Sequence, residues 1–306
     1  MQVIDPIILT DAMFVSSTAT EADYTVWAVG TFVVGDRRMM TTGIHKNYEC
    51  LVGHTSTLPA EAPNLNTGGV TPKWLELSST NRWNMFDQQN STQTVVSSAM
   101  TVVIKPGLCN SLALMELVGA AASVSIKDVT GGTVVFTGTK TLDGTIITDW
   151  YTYFFEPYGQ LDSWVLTNVI PPYPNPEITM TLTTTSGVAK CGVMVAGTAY
   201  DIGDAEYGAS FGITDYSVKS TNSFGTTSIV KRKYSKKMDL RLVIDNSALN
   251  QVSALLSSLR STPAVWVGTT NSAYAPLVVY GFYKDWSVEI TYPKTSLVTL
   301  SIEGLT

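Results

Sequence analysis

A long series of short β-prone runs, each closed by a turn signal, constrains this chain most. Residues 93–98, 100–104, 113–117, 123–128 and 133–137 are rich in Val, Ile and Thr, with local alternation. Alternation of that kind sends every second side chain to one face of a strand. Gly131 and Gly132, between the last two runs, read as a hairpin turn. Residues 145–149, 150–155, 163–166, 177–184 and 188–195 continue the series, with turns at Asp143-Gly144 and Ser186-Gly187. Strands this short need several neighbours to be stable. The pattern therefore predicts a mainly-β fold, with a β-sandwich or jelly roll over 79–203.

Beyond 204 the pattern changes. A strand over 241–245 precedes Ala248, Leu249, Val252, Leu255, Leu256 and Leu259, which fall on one face at helical spacing. Asn246 or Ser247 suits the helix N-cap, Arg260 the negative end of the dipole, and Pro263 the stop. Strands are expected over 265–267, 277–282, 286–292 and 297–302. This makes 204–306 an α+β module with one amphipathic helix. At the other end, residues 1–23 read as an extended arm fit to cover a sheet edge or reach a neighbouring subunit. Residues 24–78 read as a small β-unit with aromatics and turn glycines around Trp27 and Trp74.

Only 14% of the 306 residues are charged while 44% are hydrophobic, a balance suited to a surface hidden against neighbours or to a Thr/Ser-coated β-protein. The net charge of −6 argues against general nucleic-acid binding, which needs basic surface to displace counterions. One basic run, Lys231, Arg232 and Lys233 with Lys236 and Lys237, is too local to change that. It suits an inter-subunit contact with Tyr216, or an edge strand protected by lysines. The cysteines Cys50, Cys109 and Cys191 are too far apart for a zinc or disulfide pattern and read as buried thiols of a reducing compartment. Asp5 and Asp11 beside the first apolar stretch argue against a secretory signal. No apolar run reaches the roughly 18 residues of a membrane span.

Catalytic chemistry finds little support. The two histidines, His45 and His54, lie beside no nucleophile elbow, and nucleotide, zincin and EF-hand motifs are absent. Asp201, Asp204, Glu206 and Asp215 cluster around Gly203 and Gly208. They suit a glycosidase pair, a calcium loop or, more simply, turns. No cofactor or metal is expected. Trp27, Tyr48 and Trp74 suit either a flat platform for a sugar or the core of the small unit. Arg82 beside Trp83 and Phe86 suits a cation–π contact, with Asp87 as an ionic partner. The cluster would then pin the start of the sandwich to the first unit.

Two resemblances add to this. Trp27, Gly30, Phe32, Gly35, Asp36, Tyr48, Pro59 and Trp74 together resemble the small chitin-binding carbohydrate-binding modules. That resemblance implies glycan contact through Trp27, Tyr48 and Trp74. Most of the chain is similar to a family of tailed-bacteriophage virion proteins. Trp74 to Leu77 and Asn81 to Asp87 carry this likeness, as do Gly212 to Ser217, Lys231 to Lys237, Tyr280 to Asp285 and Ile302 to Leu305. It implies a non-enzymatic structural part of the tail, tail tip or baseplate, assembled in the host cytoplasm and resident in the virion. Its partners would be itself, in a symmetric ring or other homo-oligomer, and other tail proteins, with no nucleic acid and no membrane insertion. The alternative is a host-surface glycan-binding adhesin of the virion, and the weakest reading is a depolymerase using Asp201, Asp204 and Glu206.

Overall fold

In the strand Tyr234–Asp245, Met238, Leu240, Leu242 and Ile244 are buried, while Lys237, Asp239 and Arg241 between them are exposed. Thr295–Gly304 repeats the pattern with Val298, Leu300 and Ile302, and the two strands pair antiparallel from Lys237↔Glu303 to Asp245↔Thr295. This is the alternation that buries one face of a sheet and wets the other. The structure, a computed structural model, describes residues 1–68, 71–145, 149–155, 159, 161–185, 187–269 and 272–305. The fold is mainly β.

Contacts gather the chain into two compact units, Met1–Ile7 with Ala196–Thr306, and Ile8–Val195. This differs from the boundaries expected at 23/24, 78/79 and 203/204. The small unit and the sandwich segment fall in one contact unit, and the strand Val193–Asp201, which ends before the expected 203/204 boundary, begins in the second unit and continues into the first.

In the first unit the order runs Val193–Asp201, Gln2–Pro6, Ala264–Val267, Val278–Glu289, Thr295–Gly304, Tyr234–Asp245. Asp204–Ala205 and Ser210–Asp215 pair with the outer edge of the last strand. The expected amino-terminal arm is thus corrected. Gln2–Pro6 is an interior strand, with Ile4 opposite Ala199 on one side and Val265 on the other. Val3 and Ile4 are consecutive and both fully buried, so this strand has no polar face to leave in water. Gly197 permits the close approach, since a Cβ there would lie 2.1 Å from the Asp5 carbonyl oxygen. The segments expected as strands over 277–282 and 286–292 are one strand, Val278–Glu289, which absorbs a register shift between Tyr283 and Asp285.

The helix Leu249–Ser258 lays Val252 and Leu256 into this core, joined by Leu259 and partly by Ala248, Leu249 and Leu255. The cap differs from expectation. Ala248 stands at the N-cap and no side chain caps the helix. The Asn246 side-chain oxygen Oδ1 instead accepts from the Ser296 hydroxyl, and its side-chain Nδ2 donates to the Tyr292 carbonyl.

In the second unit a five-stranded antiparallel sheet runs Val134–Thr141, Ala121–Lys127, Glu177–Thr183, Met100–Ile104, Phe14–Ser17. Its buried face holds Ala122, Val124, Ile126, Ile178, Met180, Leu182, Val102 and Ile104. The later part of the expected arm, Phe14–Ser17, does cover an edge. Smaller sheets are Arg37–Met40, Lys46–Cys50 and Trp74–Ser79, then Gly30–Phe32 with His54–Ser56, and Thr94–Val96 with Ala189–Cys191. Residues 150–155, expected as a strand, form the helix Trp150–Phe155. The strand expected over 145–149 lies largely outside the described residues, as does Ser186 of one expected turn.

Candidate functional site

The three aromatics proposed as a sugar platform do not form one. Tyr48 and Trp74 are buried with Phe32 and Cys50, and Trp27 packs half-buried on that cluster. Phe32 meets Trp74 edge-on at 5.0 Å and stacks with Trp27 at 6.3 Å, and His54 meets Trp74 edge-on at 5.6 Å. A unit this small has few large side chains to exclude water, so it uses its tryptophans as core beside Phe32 and Tyr48. Burial, and then the charge of Glu76, push the Tyr48 hydroxyl up to about 12.

The 81–87 cluster is also inward. Trp83 and Phe86 are buried, and Arg82 lies over the Phe14 ring at 6.0 Å, not over either of them. Arg82 pairs with Glu21 at 3.1 Å instead of Asp87, and it donates to the Ala19 carbonyl. Asp87 accepts from the Thr92 hydroxyl and the Gln89 amide, while burial raises its carboxyl above the ordinary range. Sequence reasoning missed the centre of this arrangement, the Glu21 carboxylate. It holds Arg82, the Thr80 hydroxyl at 2.6 Å and the His45 ring at 2.5 Å, with His45 lying against Trp83. Residues 19–23 are thereby tied to 45–47 and 80–82, reinforced by Asp23, which accepts from the Asn47 amide and the Asn81 backbone.

The carboxylates near Gly203 gather on a cleft of about 630 Å³ within the first unit, lined by Asp201, Asp204, Glu206, Tyr207, Phe211 and Tyr274 among others. Asp201 is engaged by its own turn, accepting from the Gly203 amide and lying 3.9 Å from the Met1 amine. Asp204 and Glu206 are exposed at the rim. Asp215 is not among the lining residues. Hydrogen bonds from the Ser217 hydroxyl and amide hold its carboxyl below the usual range. Among the described residues no group of three or more His, Cys, Asp and Glu could hold a metal ion. Nor is any helix there long and apolar enough to cross a membrane.

Among the exposed apolar side chains of the described residues are two groups, one on a helix and one on a hairpin. On the helix Trp150–Phe155, Trp150, Tyr151, Tyr153, Phe154 and Phe155 are exposed, with Trp150 stacked on Phe154 one turn on. The signal was present as aromatics at i, i+4 spacing, though the same residues are strong strand formers. The other surface is a two-stranded ribbon, Val218–Thr221 with Thr227–Val230, whose every residue is exposed. Lys231, Arg232 and Lys233 follow it, all exposed, and Lys236 and Lys237 lie at the start of Tyr234–Asp245. Tyr216 sits at the ribbon base, its hydroxyl donating to Glu303 at 3.1 Å.

A scan against protein-family models and a search of curated proteins found no match to the chain.

Proposed function

We propose that the chain is a structural component of a phage tail, tail tip or baseplate. In this reading it assembles as a homo-oligomer, contacts other tail proteins, resides in the virion and performs no catalysis. The observation that carries the reading is the ribbon at 218–230. A two-stranded hairpin exposed on both faces gains little stability by itself. Val218, Phe224, Ile229 and Val230 on it are all exposed. Covering side chains of this kind with a neighbour removes apolar area from water and so favours association. The low charge density of 14% agrees with a surface that is partly hidden in an assembly.

The test combines native mass measurement of the purified chain over rising concentration with labelling of whole particles by an antibody against it. A discrete oligomer and label on the tail are expected. A monomer at every concentration, with unlabelled particles, would sink the reading.

The adhesin alternative moves from Trp27, Tyr48 and Trp74 to the exposed rings of Trp150–Phe155, where flat aromatic faces are open to solvent. Its check is a glycan array with the wild-type chain and Trp150→Ala. Equal binding by both would remove it.

A further inference from the structure

Charge is segregated along the first unit. Between Tyr216 and Lys237 lie Lys219, Lys231, Arg232, Lys233, Lys236 and Lys237 with no Asp or Glu, so this stretch carries +6 in a chain of net −6. The balance of the chain is therefore −12. The basic stretch is also an ordered arm. At its tip the Asn222 side-chain oxygen accepts from the Phe224 and Thr226 amides, and Gly225 takes φ +80°. The Thr221 and Thr227 hydroxyls meet at 3.1 Å across the strands, and the Ser217 hydroxyl holds the Arg232 amide at the base. An arm fixed before contact loses little further freedom on docking.

At the other end of the strand Ser210–Asp215 lies the cleft rim, where Asp204 and Glu206 stand beside the fully exposed Tyr207 and the exposed Phe211. From Phe211 to Tyr216 the chain advances about 17 Å at ~3.4 Å per residue. One molecule thus presents a basic, apolar surface and an acidic, aromatic surface at opposite ends of one strand.

We propose that the ribbon base of one copy docks on the cleft rim of a second copy. Lys231, Arg232 and Lys233 face Asp204 and Glu206, while Val218 and Val230, paired across the ribbon on one face, cover Tyr207 and Phe211. Two different patches meet, so the contact is head-to-tail, and repetition closes a ring or extends a filament. The inference rests on the homo-oligomer reading and names its contact surface. A polyanion such as nucleic acid would match the charges but not the apolar side chains between them.

The experiment uses two full-length charge variants, K231E/R232E/K233E and D204K/E206K, which alter only exposed side chains; circular dichroism verifies their folds. Native mass is measured for wild type, each variant alone and an equimolar mixture, at about 0.1 M and about 1 M salt, between which the Debye length falls from ~10 to ~3 Å. Each variant alone is expected to self-associate at least tenfold more weakly than wild type. The mixture, in which both contacts are again of opposite sign, should regain assembly in complexes that alternate the two chains. High salt should weaken the wild-type assembly.

Wild-type oligomers that persist unchanged in both variants would overturn the docking surface and leave the homo-oligomer reading standing. A wild type that stays monomeric throughout would overturn both. Monomeric wild type that binds a DNA oligonucleotide, with binding lost in K231E/R232E/K233E, would assign the ribbon to a polyanion instead and overturn the proposal.

Discussion

The Trp266 indole donates its Nε1 hydrogen to the Gly281 carbonyl oxygen at 3.0 Å, in a part of the sheet with no access to water. The two residues lie on neighbouring strands, Ala264–Val267 and Val278–Glu289. Gly281 has no room for a side chain, since a Cβ there would meet the Glu303 carbonyl oxygen at 2.1 Å. Three strands thus meet at one point where an indole, a bare backbone and a carbonyl fit together. Trp266→Phe keeps an aromatic ring but removes the donor. It is expected to lower unfolding free energy by about 1–3 kcal/mol from the unmet carbonyl. Urea titration of both chains checks this, and an unchanged midpoint would refute it.

Glu21 is the buried acceptor for Arg82, His45 and Thr80. Removing it takes an acceptor from all three, although Arg82 is partly exposed and keeps the Ala19 carbonyl. Glu21→Ala should cost about 1–3 kcal/mol, the range for leaving buried hydrogen-bonding groups unmet. Arg82→Ala in that background should add much less than it does alone. A double-mutant cycle measured by urea unfolding decides. Additive losses would mean that these side chains do not act as a unit.

Trp74→Ala should destabilise the chain by about 3–5 kcal/mol, because a fully buried ring leaves a cavity. Trp27 is half-buried, so Trp27→Ala should cost less. A binding platform would show the opposite signature, with affinity lost and stability kept. Thermal melts beside a chitin pull-down separate the two.

Burial pushes the Cys109 and Cys191 thiols up to about 12 from an ordinary 9.0, and Tyr48 moves in the same direction from 10.0. Between pH 9 and 12 the folded chain therefore keeps protons that the unfolded chain has released. The stability from these groups is complete below pH 9 and is lost as pH rises toward 12. Urea midpoints should fall from pH 8 to pH 11, and Cys109→Ala should flatten that slope. At pH 8 the three free, buried cysteines should resist an aromatic disulfide reagent until urea is added. Rapid reaction without urea would contradict their burial.

What could be read in the sequence was what is local. The helix Leu249–Ser258 was legible because spacing alone fixes which side chains share a face, and of the strand Tyr234–Asp245 the last part, expected over 241–245, was legible too. The fate of Trp27, Tyr48 and Trp74 was not, because a ring on a strand reads the same whether its neighbours cover it or leave it open. Asn246 had the chemistry of a cap, but Ser296, fifty residues away, took its oxygen. At Trp150–Phe155 two local rules gave opposite answers, strand by propensity and helix by i, i+4 pairing. The cleft was half legible. Its acidic residues were adjacent in sequence, but Tyr274 joins them only through the fold.

The strand Gln2–Pro6 also sets an order of events in time. It leaves the ribosome long before both of its neighbours, Val193–Asp201 and Ala264–Val267. Through most of synthesis Val3 and Ile4 have no partners, while Ile8–Val195 can begin to collect its own contacts. This sheet can close only once 264–267 has been made, by capturing a segment synthesised much earlier. That capture spans a large loop and is a slow kind of step, so a nascent chain halted before 264 should keep Gln2–Pro6 accessible to proteases and chaperones.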